Sequence, residues 1–268
     1  MLRRLLHGVV RLARQDLDTV RDEAAKLWYV GWRYHCPMCN GRFRRFKASS
    51  GMYSLRGELV DHYTENSICP ACGSGIRHRF VFTFLRQIWP TWPAGCRLLH
   101  FAPEPALLAF FKKLPGIEYV PCDLHPTPEL GIKQIDLSDI SYPADSFDRL
   151  LCIHVLEHIR EDRRAMAEIH RVLTPQGQAI VAVPTYGATT FEDDSLDAAG
   201  RERMFGIADH VRLNGLDMRD KLQDAGFHVL LVSTDDVPGR YMNFRESSPH
   251  IESDKHLFLC EKLQGRAA

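Results

Sequence analysis

The chain has 268 residues, 45% hydrophobic and 25% charged, with zero formal net charge. This is an ordinary globular composition, with length for one sizeable core and a small appended module. No apolar run is long enough to span a bilayer, and Arg3, Arg4, Arg11 and Arg14 interrupt any signal-peptide pattern, so a cytoplasmic location is expected.

Charge is unevenly spread. Residues 1–90 hold 15 Lys/Arg against 7 Asp/Glu, a net of +8, which leaves −8 for the remainder. A basic front and an acidic back suggest two parts with different partners, although a local excess is more often a solvated face. Residues 2–29 read as an amphipathic helix, with Leu2, Leu5, Leu6, Val9, Val10, Ala13 and Leu17 at helical spacing. Its Arg-rich, acid-free first half, residues 2–15, fits a peripheral contact with an anionic membrane; the plainer reading is a helix docked on the protein itself.

Next come Cys36-Pro37-Met38-Cys39 and Cys69-Pro70-Ala71-Cys72, each closely followed by a glycine (Gly41, Gly73). Two Cys-x-x-Cys pairs in a chain of this type predict one structural Zn²⁺ held by Cys36, Cys39, Cys69 and Cys72, with a small hairpin between them. A redox pair is the competitor, which the second matched pair disfavours. Arg42, Arg44, Arg45 and Lys47 interleave with Phe43 and Phe46, a pattern compatible with RNA contact; packed aromatics beside exposed charges explain it more simply. Residues 77–89 predict an aromatic-rich helix, and Pro90, Pro93 and Gly95 mark a join. The expected organisation is an amphipathic helix over 1–30, a zinc ribbon with the aromatic helix over 31–92, and a larger domain over 93–264.

From Arg97 the pattern becomes strand–helix–strand. Residues 97–101 predict a buried strand, 105–114 a helix stopped by Pro115-Gly116, and a second strand ends at Asp123. Further strands are expected at 132–137, ending near Asp136, at 147–155 and at 178–184. Helices are expected at 161–173 and 216–225. Two last strands, 227–233 and 256–261, have no helix between them and are expected to pair antiparallel. The fold class is therefore α/β, a doubly wound, mostly parallel sheet. Its ligand end carries loop 102–106, Asp123, Asp136, His154 and residues 184–186. Asp123 is suited to accept from two ribose hydroxyls and Asp136 from an adenine amino group. The first loop, Ala102-Pro103-Glu104-Pro105-Ala106, lacks the glycines usual in a nucleotide-binding turn.

The segment from Asp145 to Pro184 resembles class I S-adenosylmethionine-dependent methyltransferases of the small-molecule type: Phe147-Asp148, then Val155–His158, then Arg171–Gly177 and Pro184. A narrower subgroup with zinc knuckles in front shares a HFAPE-type loop, here His100–Glu104, and an FGxxDHVRxxG segment, here Phe205–Gly215. The resemblance covers about 97–262. It implies a seven-stranded Rossmann-like sheet and S-adenosylmethionine as cofactor. His100, Phe101, Ala102 and Glu104 would hold the cofactor's methionine part, with Glu104 on its ammonium. Asp123 and Leu124 would hold ribose, Asp136 and Leu137 would flank adenine, and His154 would face the methyl group. It implies methyl transfer to a small-molecule or glycan-like acceptor. An RNA-base methyltransferase, or a non-catalytic relative acting as a binding protein, are the alternatives.

A hydroxyl acceptor needs a base, for which His210, His154 and His158 are candidates, His210 first because it lies in a polar insertion expected to cover the site. His154-Val155-Leu156-Glu157-His158 also matches HxxEH, a zinc-protease pattern. It follows a strand instead of lying in a long helix, so that reading is rejected, and no metal is expected at Glu157.

Overall fold

The computed structural model describes residues 28–239 and 254–263. The helix expected over 2–29, and with it the membrane contact of residues 2–15, lies outside them up to residue 27. Around the first knuckle β1 (Val30–His35) pairs antiparallel with β2 (Arg42–Phe43). Between the knuckles β3 (Lys47–Leu55) and β4 (Glu58–Ile68) form a hairpin longer than expected. Its Arg56-Gly57 turn has both φ positive (+52° and +81°), the geometry that matches strand twist. Cys36, Phe43, Phe46 and Cys69 form a separate small core, with Tyr29, Tyr34 and Met38 against it.

The second knuckle leads directly into α1 (Ile76–Ile88). Arg79, fully buried, ties the two together: its Nη1 donates to the Ser67 and Ser74 carbonyls at 2.9 and 2.6 Å. The apolar side of α1 (Ile76, Phe80, Val81, Phe84, Leu85) packs in one core with Leu98, Leu107, Phe111, Leu151 and Ile180. The aromatic helix grouped with the ribbon in sequence thus forms a layer of the larger sheet.

That sheet takes β5 (Cys96–Phe101), β6 (Ile117–Asp123), β7 (Lys133–Gln134), β8 (Phe147–Ile153), β9 (Leu173–Ala182), β12 (Phe227–Ser233) and β13 (His256–Lys262), in the order β12-β13-β9-β8-β5-β6-β7. The five strands from β9 to β7 run parallel, and β13 is antiparallel to both neighbours. α2 (Pro105–Phe111) shares the face of α1; α3 (Asp162–Val172) and α5 (Met218–Asp224) cover the opposite face. The insertion after β9 contributes β10 (Phe191–Glu192), α4 (Ala198–Phe205) and β11 (Arg212–Leu213), with β10 and β11 paired antiparallel.

The helix expected over 105–114 ends at Phe111, and three strand boundaries differ most from the sequence reading. The third strand is two residues instead of six, since β7 is the sheet edge and Asp136 turns its Oδ1 to the Ser138 N–H (2.7 Å). The fourth ends at Ile153, because His154 has φ +54°. The fifth begins at Leu173, before Pro175-Gln176-Gly177, through an irregular pairing in which Gln176 takes φ +68°.

Candidate functional site

The chain runs outward from β5 through β6 and β7, then returns to β8, so strand order reverses between β5 and β8. At such a point a crevice opens beyond the strand ends. Both strands end there in left-handed backbone at a residue other than glycine: Ala102 (φ +46°) and His154 (φ +54°). Each costs on the order of 1 kcal/mol or more and persists only where neighbours hold it. Here the Ala102 N–H donates to Cys122 O and the His154 N–H to Ala182 O, both at 2.8 Å.

Of the residues expected to hold a cofactor, His100, Phe101 and Leu137 are buried. The His100 ring lies edge-on to Phe111 and hydrogen-bonds the Tyr119 hydroxyl at 2.9 Å. Burial brings its pKa down to about 3, so it is a neutral core group supporting the loop. Asp123 ends β6, with Oδ1 accepting the His125 N–H (2.8 Å), and Leu124 beside it is exposed. Asp136 stands beyond β7 in a bridge with Asp139.

Glu104 sits just before α2, in a cluster no spacing in the sequence announces. Its Oε1 accepts from Arg77 Nη2 (2.8 Å) and Nε (3.2 Å) and from His78 Nε2 (3.1 Å). His78 Nδ1 accepts the Gly75 N–H (2.9 Å), which leaves the ring proton on the nitrogen facing Glu104. Arg77 Nη1 also lies 3.1 Å from His154 Nδ1, and His154 Nε2 lies 3.3 Å from Asp254 Oδ1. Two chain segments far apart in sequence are thus joined across the crevice by one guanidinium. Glu104 Oε2 is buried without a hydrogen-bond partner. An orphan anionic acceptor of this kind fits a ligand's ammonium group, and costs free energy without one.

Burial works against the Glu104 charge, but the His78 hydrogen bond and the Arg77 guanidinium outweigh it and hold the carboxyl at about 2. A depressed folded pKa means stability fully present above the ordinary value of 4.5 and lost as pH falls toward 2. Glu104→Gln should therefore be less stable than wild type at pH 7 by about 2 kcal/mol and equal to it near pH 2. Urea titrations at both pH values check this.

The three candidate bases come together at the same end of the sheet. His158 and His210 pack edge to face with ring centres 4.8 Å apart, and His154 lies 3.4 Å from Glu157 Oε1. Burial, then the neighbouring His158 and His154, hold His210 down to about 4, so it is neutral at pH 7. Its segment is pinned beneath the turn after β8. The Val211 N–H donates to Glu157 O (2.9 Å), and the buried Arg212 guanidinium donates to Leu156 O and Arg160 O (both 2.8 Å) while pairing with Glu192 (2.8 Å). Arg212→Lys keeps the charge but not the planar fork, and should lower stability by about 2 kcal/mol in denaturant titrations.

A cleft of about 460 Å³ opens beside His154 and His210. Tyr53 of the hairpin, Tyr186 after β9 and Phe205 of the insertion supply its aromatic walls, Arg77 and Asp254 its charge. Ribbon and insertion meet there: the Arg56 N–H donates to Met204 O (2.9 Å) and Ser54 Oγ to Arg203 O (2.7 Å).

The four knuckle cysteines converge as the spacing predicts, all four Sγ atoms within 4.8 Å of one another. Cys36–Cys72 and Cys39–Cys69 are each 3.7 Å apart, far beyond a disulfide bond. Sulfurs around a tetrahedral Zn²⁺ with bonds near 2.3 Å stand about 3.8 Å apart, so both donor set and geometry fit that ion.

Residues 94–181 match the family model of a methyltransferase domain, about a third of the chain. Comparison with curated protein sequences finds no match. Among solved structures the chain is similar to the CMeT domain of the citrinin polyketide synthase, with TM-score 0.50, 16% identity, 72% of this chain covered and 53% of that one. It is also similar to the YcgJ protein of Bacillus subtilis (TM-score 0.47, 16%, 70% and 100% covered) and to the Burkholderia thailandensis 1,6-didemethyltoxoflavin-N1-methyltransferase (TM-score 0.46, 16%, 70% and 79% covered). The large sheet is that of a Rossmann-like methyltransferase.

Proposed function

We propose that this protein is an S-adenosylmethionine-dependent methyltransferase acting on a small-molecule or glycan-like acceptor, with a structural Zn²⁺ on its four knuckle cysteines. One observation carries the reading: the cleft reaches His154 at the switch point, and there Arg77 joins His154 to Glu104, whose Oε2 is buried and unpartnered. Glu104 and Arg77 match the ammonium and carboxylate of a methionine moiety, and Asp123 matches ribose hydroxyls. Bound there, the cofactor supplies an electrophilic methyl group. From a hydroxyl acceptor, the neutral His210 imidazole on the cleft wall would take the proton as the methyl group is transferred. The chain's own part is mainly alignment, which can lower a barrier by about 7–11 kcal/mol. Tyr53, Tyr186 and Phe205 would hold an acceptor against His154 and His210, and 460 Å³ suits a small molecule.

Calorimetry of the zinc-loaded full chain with S-adenosylmethionine and S-adenosylhomocysteine tests this. Micromolar binding supports it, and no binding by either ligand would leave a methyltransferase fold serving as a binding protein.

A second reading, RNA as acceptor, is favoured by one feature. A groove of about 680 Å³ in the ribbon is lined by Trp28, Tyr29, Arg33, Arg44, Arg45 and Lys47, and the Arg44 guanidinium lies 4.0 Å from the Trp28 ring centre. Salt-sensitive RNA binding that disappears in an Arg44→Glu/Arg45→Glu double variant would favour it over the small-molecule reading.

A further inference from the structure

The ribbon carries an unusual share of the exposed apolar surface. Among the described residues twelve large hydrophobic side chains are exposed, and six of them lie in the ribbon: Trp28, Val30, Trp32, Met52, Leu59 and Tyr63, with Trp32 81% exposed. Hydrophobic groups scattered singly over a surface need no explanation, but a concentration of this kind marks a contact surface. Basic residues stand among them: residues 28–68 hold six Lys/Arg against three Asp/Glu. We infer that this side of the ribbon binds an anionic lipid membrane surface.

The backbone collects the apolar groups onto common faces. Val30 and Trp32 alternate along β1, so both point to one side of it. The pairing with β2 is irregular between Val30 and Tyr34, and Tyr34 packs on Phe46 with ring centres 5.3 Å apart. In the hairpin, Ser50 pairs with Tyr63, Met52 with Asp61 and Ser54 with Leu59. Met52, Leu59 and Tyr63 therefore share the face opposite Tyr53. The two sets adjoin, since Trp28 and Tyr63 line the same groove. Arginines are fixed beside the rings. The Arg44 guanidinium lies 4.0 Å from the Trp28 ring centre, and that of Arg42 lies 5.4 Å from the Trp32 ring centre. The Arg44 N–H donates to Tyr29 O (2.8 Å), and a Cβ at Gly31 would stand 2.6 Å from the Arg44 nitrogen. Only glycine lets β1 pass so close.

An anionic lipid surface answers both properties at once. Trp and Tyr rings seat at the boundary of headgroups and acyl chains, aliphatic tips pass beyond it, and arginines meet the anionic headgroups. RNA would use the arginines but leave Val30, Met52 and Leu59 in water. The sequence extends the match: residues 2–15 carry Arg3, Arg4, Arg11 and Arg14 and no acid among their apolar positions. The competing occupant is residues 16–27, whose Asp16, Asp18, Asp22 and Glu23 would complement the same arginines. Membrane binding does not depend on methyl transfer.

The test uses the zinc-loaded full chain, sedimented with vesicles of phosphatidylcholine containing about 30% phosphatidylserine. The chain should bind these vesicles, bind pure phosphatidylcholine weakly, and release between about 0.1 and 0.5 M salt. Val30→Ser/Trp32→Ser, at exposed positions and with every charge kept, should lower partitioning about tenfold. Arg42→Gln/Arg44→Gln should lower it about thirtyfold. Zinc content by plasma mass spectrometry should be unchanged in both. Without vesicles, acrylamide should quench Trp28 and Trp32, read as the signal lost in Trp28→Phe/Trp32→Phe, as fully as free tryptophan. Shielded rings would show residues 16–27 or a second copy lying on this face, and overturn the inference. So would no vesicle binding, binding indifferent to Val30→Ser/Trp32→Ser, or salt-sensitive RNA binding in its place.

Discussion

Asp123→Ala is expected to weaken S-adenosylhomocysteine binding about 100-fold while leaving the fold intact. The carboxylate ends β6 beside the crevice and is half-exposed, so removing it opens no core cavity. Its Oδ1 is fixed by the His125 N–H, a local turn that presets its direction. Two ribose hydroxyls donating to an ionised carboxylate would each contribute about 1.5 kcal/mol, and each 1.4 kcal/mol is tenfold in affinity. Asp123→Asn keeps an acceptor oxygen for the turn and should fall between the two. Calorimetry on the three proteins decides: equal affinities would show that the ribose end of the site lies elsewhere.

Cys36→Ser should abolish zinc binding at the knuckles and unravel the ribbon, with an effect that reaches the crevice at the switch point. The ribbon's own core is four buried residues with three neighbours against it, too few to fold without an ion. The connection to the crevice is short. Ser74 Oγ lies 3.3 and 3.2 Å from the Sγ atoms of Cys36 and Cys72, Gly75 caps α1, and Arg77 and His78 in its first turn hold Glu104. Plasma mass spectrometry should find zinc lost, limited proteolysis should cut within residues 30–75, and S-adenosylhomocysteine affinity should fall about tenfold as Arg77 is released. Zinc retained by the variant would refute the four-thiolate site. Cofactor affinity unchanged after zinc loss would show that α1 stays seated through its packing on the sheet alone.

Much of the fold was legible because it is written in local periodicity. The strands at 96–101, 117–123 and 227–233 and the helices at 105–111 and 162–172 each carry their signal within a dozen residues, where apolar spacing and Pro or Gly stops act. The final pairing was legible too: the sequence signals no helix between 227–233 and 256–261, and the two strands pair antiparallel. The errors fell where a long-range contact sets the boundary. Strand β8 stops at Ile153 because the His154 backbone is held in a left-handed turn against β9, and β7 is the sheet edge among the described residues.

The sequence alone determined that four cysteines would meet, because two Cys-x-x-Cys pairs have few other uses at that spacing. It also determined the doubly wound sheet and the placing of Asp123 and Glu104 at the carboxyl ends of its strands. Only the tertiary structure decided what surrounds them. Arg77 and Glu104 are 27 residues apart, and Glu157 and His210 more than fifty, with no pattern linking either pair. Glu157 and His158 meet His210 only because Arg212 fastens the insertion beneath their turn. Such pairs depend on how separately folded elements pack, and side-chain type and spacing within one element carry no record of which distant element will face it.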